Sequence, residues 1–155
     1  KSLRITYVSP MNILHLKSYN EFDYCISRDT LEHIPKVQLN KIIKKITQLL
    51  KNTGYMIHKI DYSDHYSNNY NNLSKLNFLK FSDFFWFFLN PSNHYQNRLR
   101  HQEYIEIIKM NDFRIIEEKK TVLDNVSFKV DNKFKNFLKN DLLSTSGKIV
   151  SNKNS

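Results

Sequence analysis

Two apolar segments of this chain are each followed directly by polar side chains that can do chemistry. The turn Ser27-Arg28-Asp29 follows residues 24–26, and the run Asp61-Tyr62-Ser63-Asp64-His65 follows residues 55–60. Serine, aspartate and histidine exchange protons or accept hydrogen bonds, and arginine binds anionic groups. Ligands of open α/β sheets bind beyond the carboxyl ends of the strands. If the two segments are neighbouring parallel strands, the polar runs therefore meet at one catalytic or binding edge.

His65 and Asp64 are the candidate general bases. Histidine titrates near neutral pH, and a positioned histidine or aspartate can remove a proton from an oxygen or nitrogen. An exposed polar loop without a catalytic role is the alternative for either residue. His58, Asp61 and His65 are metal-ligand types, but their spacing matches no metal-binding motif, so the sequence predicts no metal site. Cys25, between apolar neighbours, predicts an inert buried thiol.

The hydrophobic periodicity predicts the elements that position these residues. Apolar runs and alternations predict strands over 3–8, 23–27, 55–60, 113–117 and 144–150. Apolar residues at helical spacing predict helices over 35–50, 77–89, 101–110 and 134–138. Pro35 suits the first turn of the first helix, and Asn52-Thr53-Gly54 is expected to end it. The strand over 23–27 is apolar on both faces, which is typical of a parallel strand covered by helices.

Three blocks of the sequence resemble one enzyme family. They are Phe22-Asp23 through Leu31-Glu32-His33-Ile34-Pro35, the run from Ile60 to Tyr66, and His94-Tyr95-Gln96-Asn97-Arg98-Leu99-Arg100-His101. With their flanking strands they resemble the C-terminal two-thirds of a class I S-adenosylmethionine-dependent methyltransferase of the bacterial, small-molecule type. The only glycines are Gly54 and Gly147, so the glycine-rich cofactor loop of that family is missing.

The resemblance implies an α/β fold, a partial Rossmann-like three-layer sandwich with a mostly parallel sheet and an antiparallel C-terminal strand. Residues 1–151 would form a partial methyltransferase domain, with 62–100 as an insertion or lid over the active site and 152–155 as a disordered tail. The chain begins at Lys1 and is expected to be part of a larger protein. In the family's sheet, residues 3–8 and 23–27 would be separated by strands that this chain lacks. We therefore expect residues 3–8 to detach or to slide beside 23–27, leaving an exposed sheet edge or apolar face.

The resemblance also assigns candidate binding residues, with S-adenosylmethionine as the cofactor. The cofactor-binding candidates are Asn12, Ser27, Arg28, Asp29 and His33. The substrate-binding candidates are Asp61, Tyr62, His94, Asn97, Arg98 and Arg100. Each has a structural alternative: Asn12 can serve as a turn residue, Asp29 can start a helical turn, and the arginines can be ordinary surface groups.

The function that follows is methyl transfer to a small-molecule or sugar-like acceptor by the parent protein, with the isolated chain expected to be inactive. A non-catalytic binding or scaffold fragment and an RNA methyltransferase are the alternatives. The net charge of +9 invites the RNA alternative, but its lysines are scattered and share A/T-rich codons with the abundant Asn, Ile, Phe and Tyr. The lack of a long apolar run predicts no membrane span, and the single cysteine fits a reducing cytoplasm.

Overall fold

A four-stranded mixed sheet organises the chain, whose computed structural model describes residues 5–154. The strands are β1 (Phe22–Arg28), β2 (Leu50–Asp61), β3 (Phe113–Val122) and β4 (Ser144–Lys153), in the order β1-β2-β4-β3. β1 and β2 are parallel, and β4 is antiparallel to both of its neighbours. Three strands therefore run in one direction and the C-terminal strand runs against them. This confirms the predicted α/β class and the predicted strand directions.

Of the four described helices, two agree closely with the periodicity, one is shorter than predicted, and one lies outside the predicted range. The helices are α1 (Lys36–Leu49), α2 (Asp83–Leu89), α3 (His101–Lys109) and α4 (Lys139–Leu142). The predicted helix over 77–89 is divided into a 3₁₀ turn, Asn77–Lys80, and α2, because the Ser82 side chain accepts from the Phe85 N–H and starts a new helix. The predicted helix over 134–138 is likewise replaced by a 3₁₀ turn, Asn132–Phe134, followed by α4.

The β1–β2 connection also differs from the prediction at the glycine. α1 ends at Leu49 and β2 starts at Leu50, so Gly54 lies inside the strand instead of ending the helix. A Cβ at Gly54 would lie 3.0 Å from the Lys51 carbonyl oxygen of its own strand and 3.1 Å from the Phe22 carbonyl oxygen on β1. Close approach of two backbones, and not a left-handed helix end, is therefore the reason for glycine here.

The main hydrophobic core lies between one face of the sheet and helices α1 and α3. Met56 and Ile60 of β2 and Ile149 of β4 are fully buried against α1 and α3 residues such as Leu39 and Ile108. A second core lies under the segment 62–100. It is formed by Leu76, Phe78, Leu79, Trp86, Phe134 and Leu143. The described residues thus supply the sheet, one helical layer and a second, separate hydrophobic core.

The opposite face of the sheet is open along its β1 edge. Tyr24 is 61% exposed and Ile26 is 68% exposed, and Tyr24 stacks on Tyr55 of β2 at a ring-centroid distance of 6.2 Å. The expected cover on both faces of this strand is therefore absent from the described residues, and only Cys25 and Ser27, on the helical side, are half-buried. Burial raises the pKa of the Cys25 thiol to about 11, which keeps the thiol protonated at neutral pH.

Both ends of the described chain depart from the predicted strand limits. Residues 5–8 form no strand, and Ile5 and Tyr7 are 80% and 86% exposed, whereas residues 3 and 4 of that predicted strand lie outside the described residues. Detachment was one of the two arrangements expected when the neighbouring strands are lacking. At the other end, β4 continues through Lys153, which pairs with Phe113 of β3. Residues 152 and 153 therefore belong to the sheet and not to a tail.

Candidate functional site

The turn after β1 is held in place by β2. The Asp29 N–H donates to the Lys59 carbonyl at 2.9 Å, and Asp29 takes a positive φ of 49° that aspartate tolerates better than most residues. Ser27 Oγ lies 2.7 Å from Nδ1 of the buried His58. Arg28 Nε donates to the Asp29 carboxylate at 3.1 Å, and both side chains are exposed. Of the three turn residues, Arg28 and Asp29 therefore present exposed polar groups, paired with each other, at the strand end, whereas the Ser27 hydroxyl is engaged with a buried histidine.

A 3₁₀ turn, Leu31–His33, follows and carries two polar residues of opposite exposure. Glu32 is only 1% exposed, and neither of its carboxylate oxygens has a hydrogen-bond partner. Burial raises the pKa of Glu32. His33 is exposed, and its Nδ1 lies 2.8 Å from the Tyr95 carbonyl oxygen. Since a carbonyl only accepts, this nitrogen carries the proton.

The loop after β2 contains a paired aspartate and histidine. Asp61 Oδ1 accepts from the Ser63 backbone N–H at 2.8 Å and from the Ser63 hydroxyl at 2.6 Å. Asp61 Oδ2 lies 3.5 Å from His65 Nε2. Burial acts to raise the pKa of Asp61, but the hydrogen bonds from His65 and Ser63 outweigh it and the pKa is lowered. The same hydrogen bond raises the pKa of His65.

Asp64 occupies a different environment from its neighbour His65. Its side chain is completely buried, and Oδ1 accepts from the Tyr66 N–H at 2.9 Å, which caps the 3₁₀ turn His65–Asn68. Oδ2 lies 3.4 Å from the Asn77 amide nitrogen, and burial raises the pKa of Asp64. Asp64 therefore stabilises the loop, and the geometry favours His65 over Asp64 as a proton acceptor.

Three histidines from separate segments meet beside these loops. The ring centroids of His33 and His65 are 5.0 Å apart, and those of His65 and His94 are 6.3 Å apart. His94 also lies 5.3 Å from the Tyr66 ring. The structure thus brings together the cofactor candidate His33, the substrate candidates Asp61 and His94, and the base candidate His65. We call this group, His33, Asp61, His65 and His94, the histidine cluster.

Two other substrate-binding candidates lie in the interior beneath the cluster. Asn97 Nδ2 donates to the carbonyls of Leu31 at 3.0 Å and Ile34 at 2.8 Å, so Asn97 fixes the turn that carries Glu32 and His33. Tyr62 is 2% exposed and its hydroxyl lies 2.8 Å from His101 Nδ1. Burial raises the pKa of Tyr62. Direct substrate contact by either residue stays a prediction.

The two candidate arginines are buried as well, contrary to the alternative that they are surface groups. Arg98 donates to the Phe78 carbonyl at 3.0 Å and to Asp83 at 2.6 Å. Arg100 is fully buried and donates to the carbonyls of Tyr62 and Ser144. Burial lowers the pKa of Arg100 to about 10. Both guanidinium groups join backbone segments, and Arg100 Nε has no hydrogen-bond partner among the described residues. Contact of either arginine with a substrate stays a prediction.

Asn12 has a local role. Its side-chain oxygen accepts from the Leu14 N–H at 3.0 Å and caps the 3₁₀ turn Ile13–His15. This is the turn role that the sequence left open for Asn12, and its contact with a cofactor stays a prediction.

Gln96 is a positioning residue that the sequence did not single out. Its Oε1 accepts from the His65 backbone N–H at 3.2 Å, and its Nε2 donates to the Ser63 carbonyl. Its own backbone N–H donates to Asn90 Oδ1 at 2.7 Å. Gln96 thus fastens the His65 loop to the segment that carries His94. Its position inside the block 94–101 was the only sequence signal, because an uncharged amide does not reveal its burial.

A groove of about 780 Å³ lies on the open face of the sheet, next to the turn after β1. Its lining includes Ser27, Arg28, Lys59, Lys119, Lys120 and Lys148. Lys119 and Lys148 lie 3.1 and 3.3 Å from carboxylate oxygens of Glu117. Part of the positive charge in the groove is therefore locally balanced.

The architecture is similar to that of solved methyltransferases. A SAM-dependent methyltransferase from Methanosarcina mazei superposes with a TM-score of 0.57 at 13% identity, over 92% of this chain and 65% of that protein. An S-adenosylmethionine-dependent methyltransferase from Clostridium acetobutylicum gives a TM-score of 0.55 at 12% identity, over 94% of this chain and 63% of that protein. The fold is that of class I methyltransferases.

A third similar structure contains bound small molecules. It is 1,6-didemethyltoxoflavin-N1-methyltransferase from Burkholderia thailandensis, solved with 1,6-didemethyltoxoflavin and S-adenosylhomocysteine. It has a TM-score of 0.55 and 11% identity, over 94% of this chain and 49% of that protein. The chain thus spans 49–65% of the length of these three proteins. No family model and no curated protein sequence matches it.

The helices show no membrane-spanning character. Within residues 5–154, none is both long and apolar enough to cross a bilayer.

Proposed function

We propose that this chain is part of an S-adenosylmethionine-dependent methyltransferase that acts on a small-molecule or sugar-like acceptor. The observation that carries the proposal is the histidine cluster, which lies beyond the carboxyl ends of β1 and β2 within a methyltransferase fold. Methyl transfer to an oxygen or nitrogen needs a group that takes up the acceptor's proton, and positioned histidines suit that role. Catalysis would otherwise depend on holding the two reactants in line.

The turn after β1 fits one part of the cofactor. Arg28 and Asp29 are exposed and have donor and acceptor atoms available for the polar methionine portion. Both glycines lie inside strands, so the described residues contain no glycine-rich cradle for the rest of the cofactor. When bound, the cofactor supplies an electrophilic methyl group. This chain's residues would orient that methyl end and present the acceptor to it.

His65 is the residue at which the acceptor's proton would be handled. Asp61 lies against Nε2, which fixes the orientation of the imidazole ring and leaves Nδ1 as the second nitrogen. Gln96 holds the backbone of the same residue. His94, exposed beside His65, would contact the acceptor. Ser27, His33 and Asn97 would act mainly by holding these loops in place.

The two alternative functions are less well supported. An RNA methyltransferase would need a patch of unpaired basic groups around the Asp61 loop. In the neighbouring groove, Lys119 and Lys148 share Glu117, and only Lys59 and Lys120 have no ion pair among the described residues. A scaffold without activity would have no use for the histidine cluster.

The test is turnover by the full-length parent protein. It would be incubated with S-adenosylmethionine and a panel of small hydroxyl and amine acceptors, and release of S-adenosylhomocysteine would be measured. We expect turnover with at least one acceptor and a loss of roughly 10²- to 10⁴-fold in the His65→Asn variant. His15→Asn, at an exposed histidine distant in sequence from the cluster, is the control and should leave turnover unchanged. Binding of S-adenosylmethionine without turnover on any acceptor would favour the scaffold alternative, and methylation of RNA alone would favour the other.

A further inference from the structure

We propose that Glu32, His33 and His65 form a binding site for a divalent transition-metal cation of the Zn²⁺ class. One potential ligand atom from each of these residues lies within 4.8 Å of the other two. Tetrahedral bonds of about 2.0–2.2 Å place ligand atoms about 3.3–3.6 Å apart, so cation binding would draw together any of these atoms that lie farther apart than that. The sequence did not predict the site because its ligands come from two loops and fit no spacing motif.

The buried carboxylate of Glu32 is the independent observation that points to a cation. Glu32 is 1% exposed, and both of its side-chain oxygens lack a hydrogen-bond partner. A buried carboxylate without a partner is costly, and protonation would remove its charge but would still leave both oxygens without a bond. A metal ion bonded to one or both carboxylate oxygens of Glu32 would neutralise the negative charge and give those oxygens a bonding partner.

The two histidines are oriented as metal-ligating histidines usually are. His33 donates its Nδ1 proton to the Tyr95 carbonyl at 2.8 Å, so its Nε2 carries the free lone pair. His65 has its Nε2 3.5 Å from the Asp61 carboxylate, which favours a proton on Nε2 and a lone pair on Nδ1. A carbonyl or carboxylate partner on the opposite ring nitrogen is the common outer shell of a ligating histidine.

The donor set indicates which cation binds. Two imidazoles and one carboxylate suit Zn²⁺, Fe²⁺, Co²⁺ or Ni²⁺, whereas Mg²⁺ and Ca²⁺ prefer sites made of oxygen atoms. Three protein ligands leave at least one coordination position open, as in catalytic metal sites.

The consequence for the reaction rests on the proposed function. An acceptor hydroxyl bound at the open position would have its pKa lowered by the cation and would release its proton to solvent. With the cation bound, His65 would be a ligand in place of the proton acceptor proposed above, and the acceptor oxygen would be the nucleophile that attacks the methyl group of the cofactor. Adjacent oxygen atoms, as in a sugar or a catechol-like ring, would chelate such a cation best.

The test measures metal binding without cofactor or acceptor. The full-length parent, first stripped with a chelator, would be titrated with Zn²⁺ by calorimetry and with Co²⁺ by visible absorption. We expect one cation per chain and Co²⁺ absorption bands typical of mixed nitrogen and oxygen ligation. Glu32→Gln and His33→Gln should each lower the Zn²⁺ affinity by at least roughly 100-fold, since even the outer-shell partners of metal ligands contribute 10- to 100-fold.

Controls separate metal binding from folding. Without metal, the Glu32→Gln variant should have a melting temperature equal to or higher than that of the unsubstituted full-length protein, because the substitution removes a buried unpaired charge. His15→Gln should bind Zn²⁺ as the parent does. Failure to bind Zn²⁺ and Co²⁺, or affinity unaffected by both ligand substitutions, would overturn the inference. Turnover that persists in a chelator-treated protein would refute the role of the cation while leaving the proposed methyl transfer intact.

Discussion

His58 lies inside β2 with 1% of its surface exposed, and its Nδ1 meets the Ser27 hydroxyl at 2.7 Å. Its Nε2 has no partner, so a charged imidazole is poorly accommodated there. Burial lowers the pKa of His58 to about 4, well under its ordinary value. The buried histidine therefore couples the stability of the sheet to pH.

The sign of this coupling gives a prediction. Between pH 6.5 and 4 the unfolded chain binds a proton at His58 and the folded chain does not. Stability is therefore fully present above pH 6.5 and falls as the pH drops through this window, by about 2 kcal/mol at pH 5. Chemical denaturation at pH 7.5 and pH 5 should show a smaller loss in His58→Gln than in the parent. The His15→Gln control should keep the parent's loss, and equal losses in all three proteins would contradict the assignment.

The sequence predicted which residues form the candidate site better than it predicted their burial and hydrogen-bond partners. His33, Asp61, His65 and His94 were candidates because they follow strands or lie in a family-like block, and the structure brings them together. It could not show that Arg100 is fully buried, because the side-chain type reveals charge but not depth. Glu32 was not chosen as a site residue for the same reason. Its importance depends on the lack of hydrogen-bond partners for its buried carboxylate, which only coordinates reveal.

At the scale of elements, β4 approaches the loop after β2 very closely. A Cβ at Gly147 would lie 2.5 Å from the Tyr62 hydroxyl oxygen and 2.7 Å from His101 Nδ1. These two side chains are hydrogen-bonded to each other and buried, so neither can move away freely. Glycine at this position is what allows β4 to pair with the end of β2 that leads into the site.

The Gly147→Ala substitution should therefore destabilise the protein by roughly 1–3 kcal/mol through overpacking. Denaturant unfolding would measure the change, and Ser146→Ala on the same strand is the control. If the clash is with the Tyr62 hydroxyl, Gly147→Ala should cost less free energy of unfolding in a Tyr62→Phe background than in the unsubstituted protein. Strictly additive losses would show that the contact is not responsible.

The boundaries of the helices and strands show which structural features are determined by the local sequence. α1 and α3 were predictable because their apolar residues recur at helical spacing over 14 and 9 residues. The interruption of the segment 77–89 at Ser82 was not, since an aromatic run favours neither helix nor turn strongly. Gly54 was predicted to end α1 but lies inside β2. That position depends on close approach to the carbonyl of Phe22, a residue 32 positions away.

For the whole molecule, the open face of the sheet is the dominant feature. β1 is an edge strand and carries Tyr24 and Ile26 on the exposed face. Exposed apolar edge strands promote association between chains because their backbone groups and side chains are both unpaired. The exposed edge at β1 could be predicted, because the neighbouring strands of residues 23–27 are missing. The second core under the segment 62–100 could not, because it depends on contacts that no periodicity reveals.

Ile26→Lys should reduce self-association of the 155-residue chain. A charge on an edge strand opposes pairing with another strand, while the substitution leaves the core unchanged. Light scattering as a function of concentration would measure the effect. Val37→Lys is the matched control, because Val37 is 71% exposed on α1 and away from any sheet edge. Equal improvement by both variants would show that added charge, and not the edge, controls association.

The assignment of the whole protein to methyl transfer is tested most directly by titrating S-adenosylmethionine into the full-length parent. The account predicts saturable binding of one cofactor per chain, weakened when the exposed Arg28 and Asp29 at the end of β1 are replaced by alanine. The Val37→Lys variant, altered on the distant helix surface, should bind as the parent does. Absence of saturable binding by a folded parent protein would contradict the account.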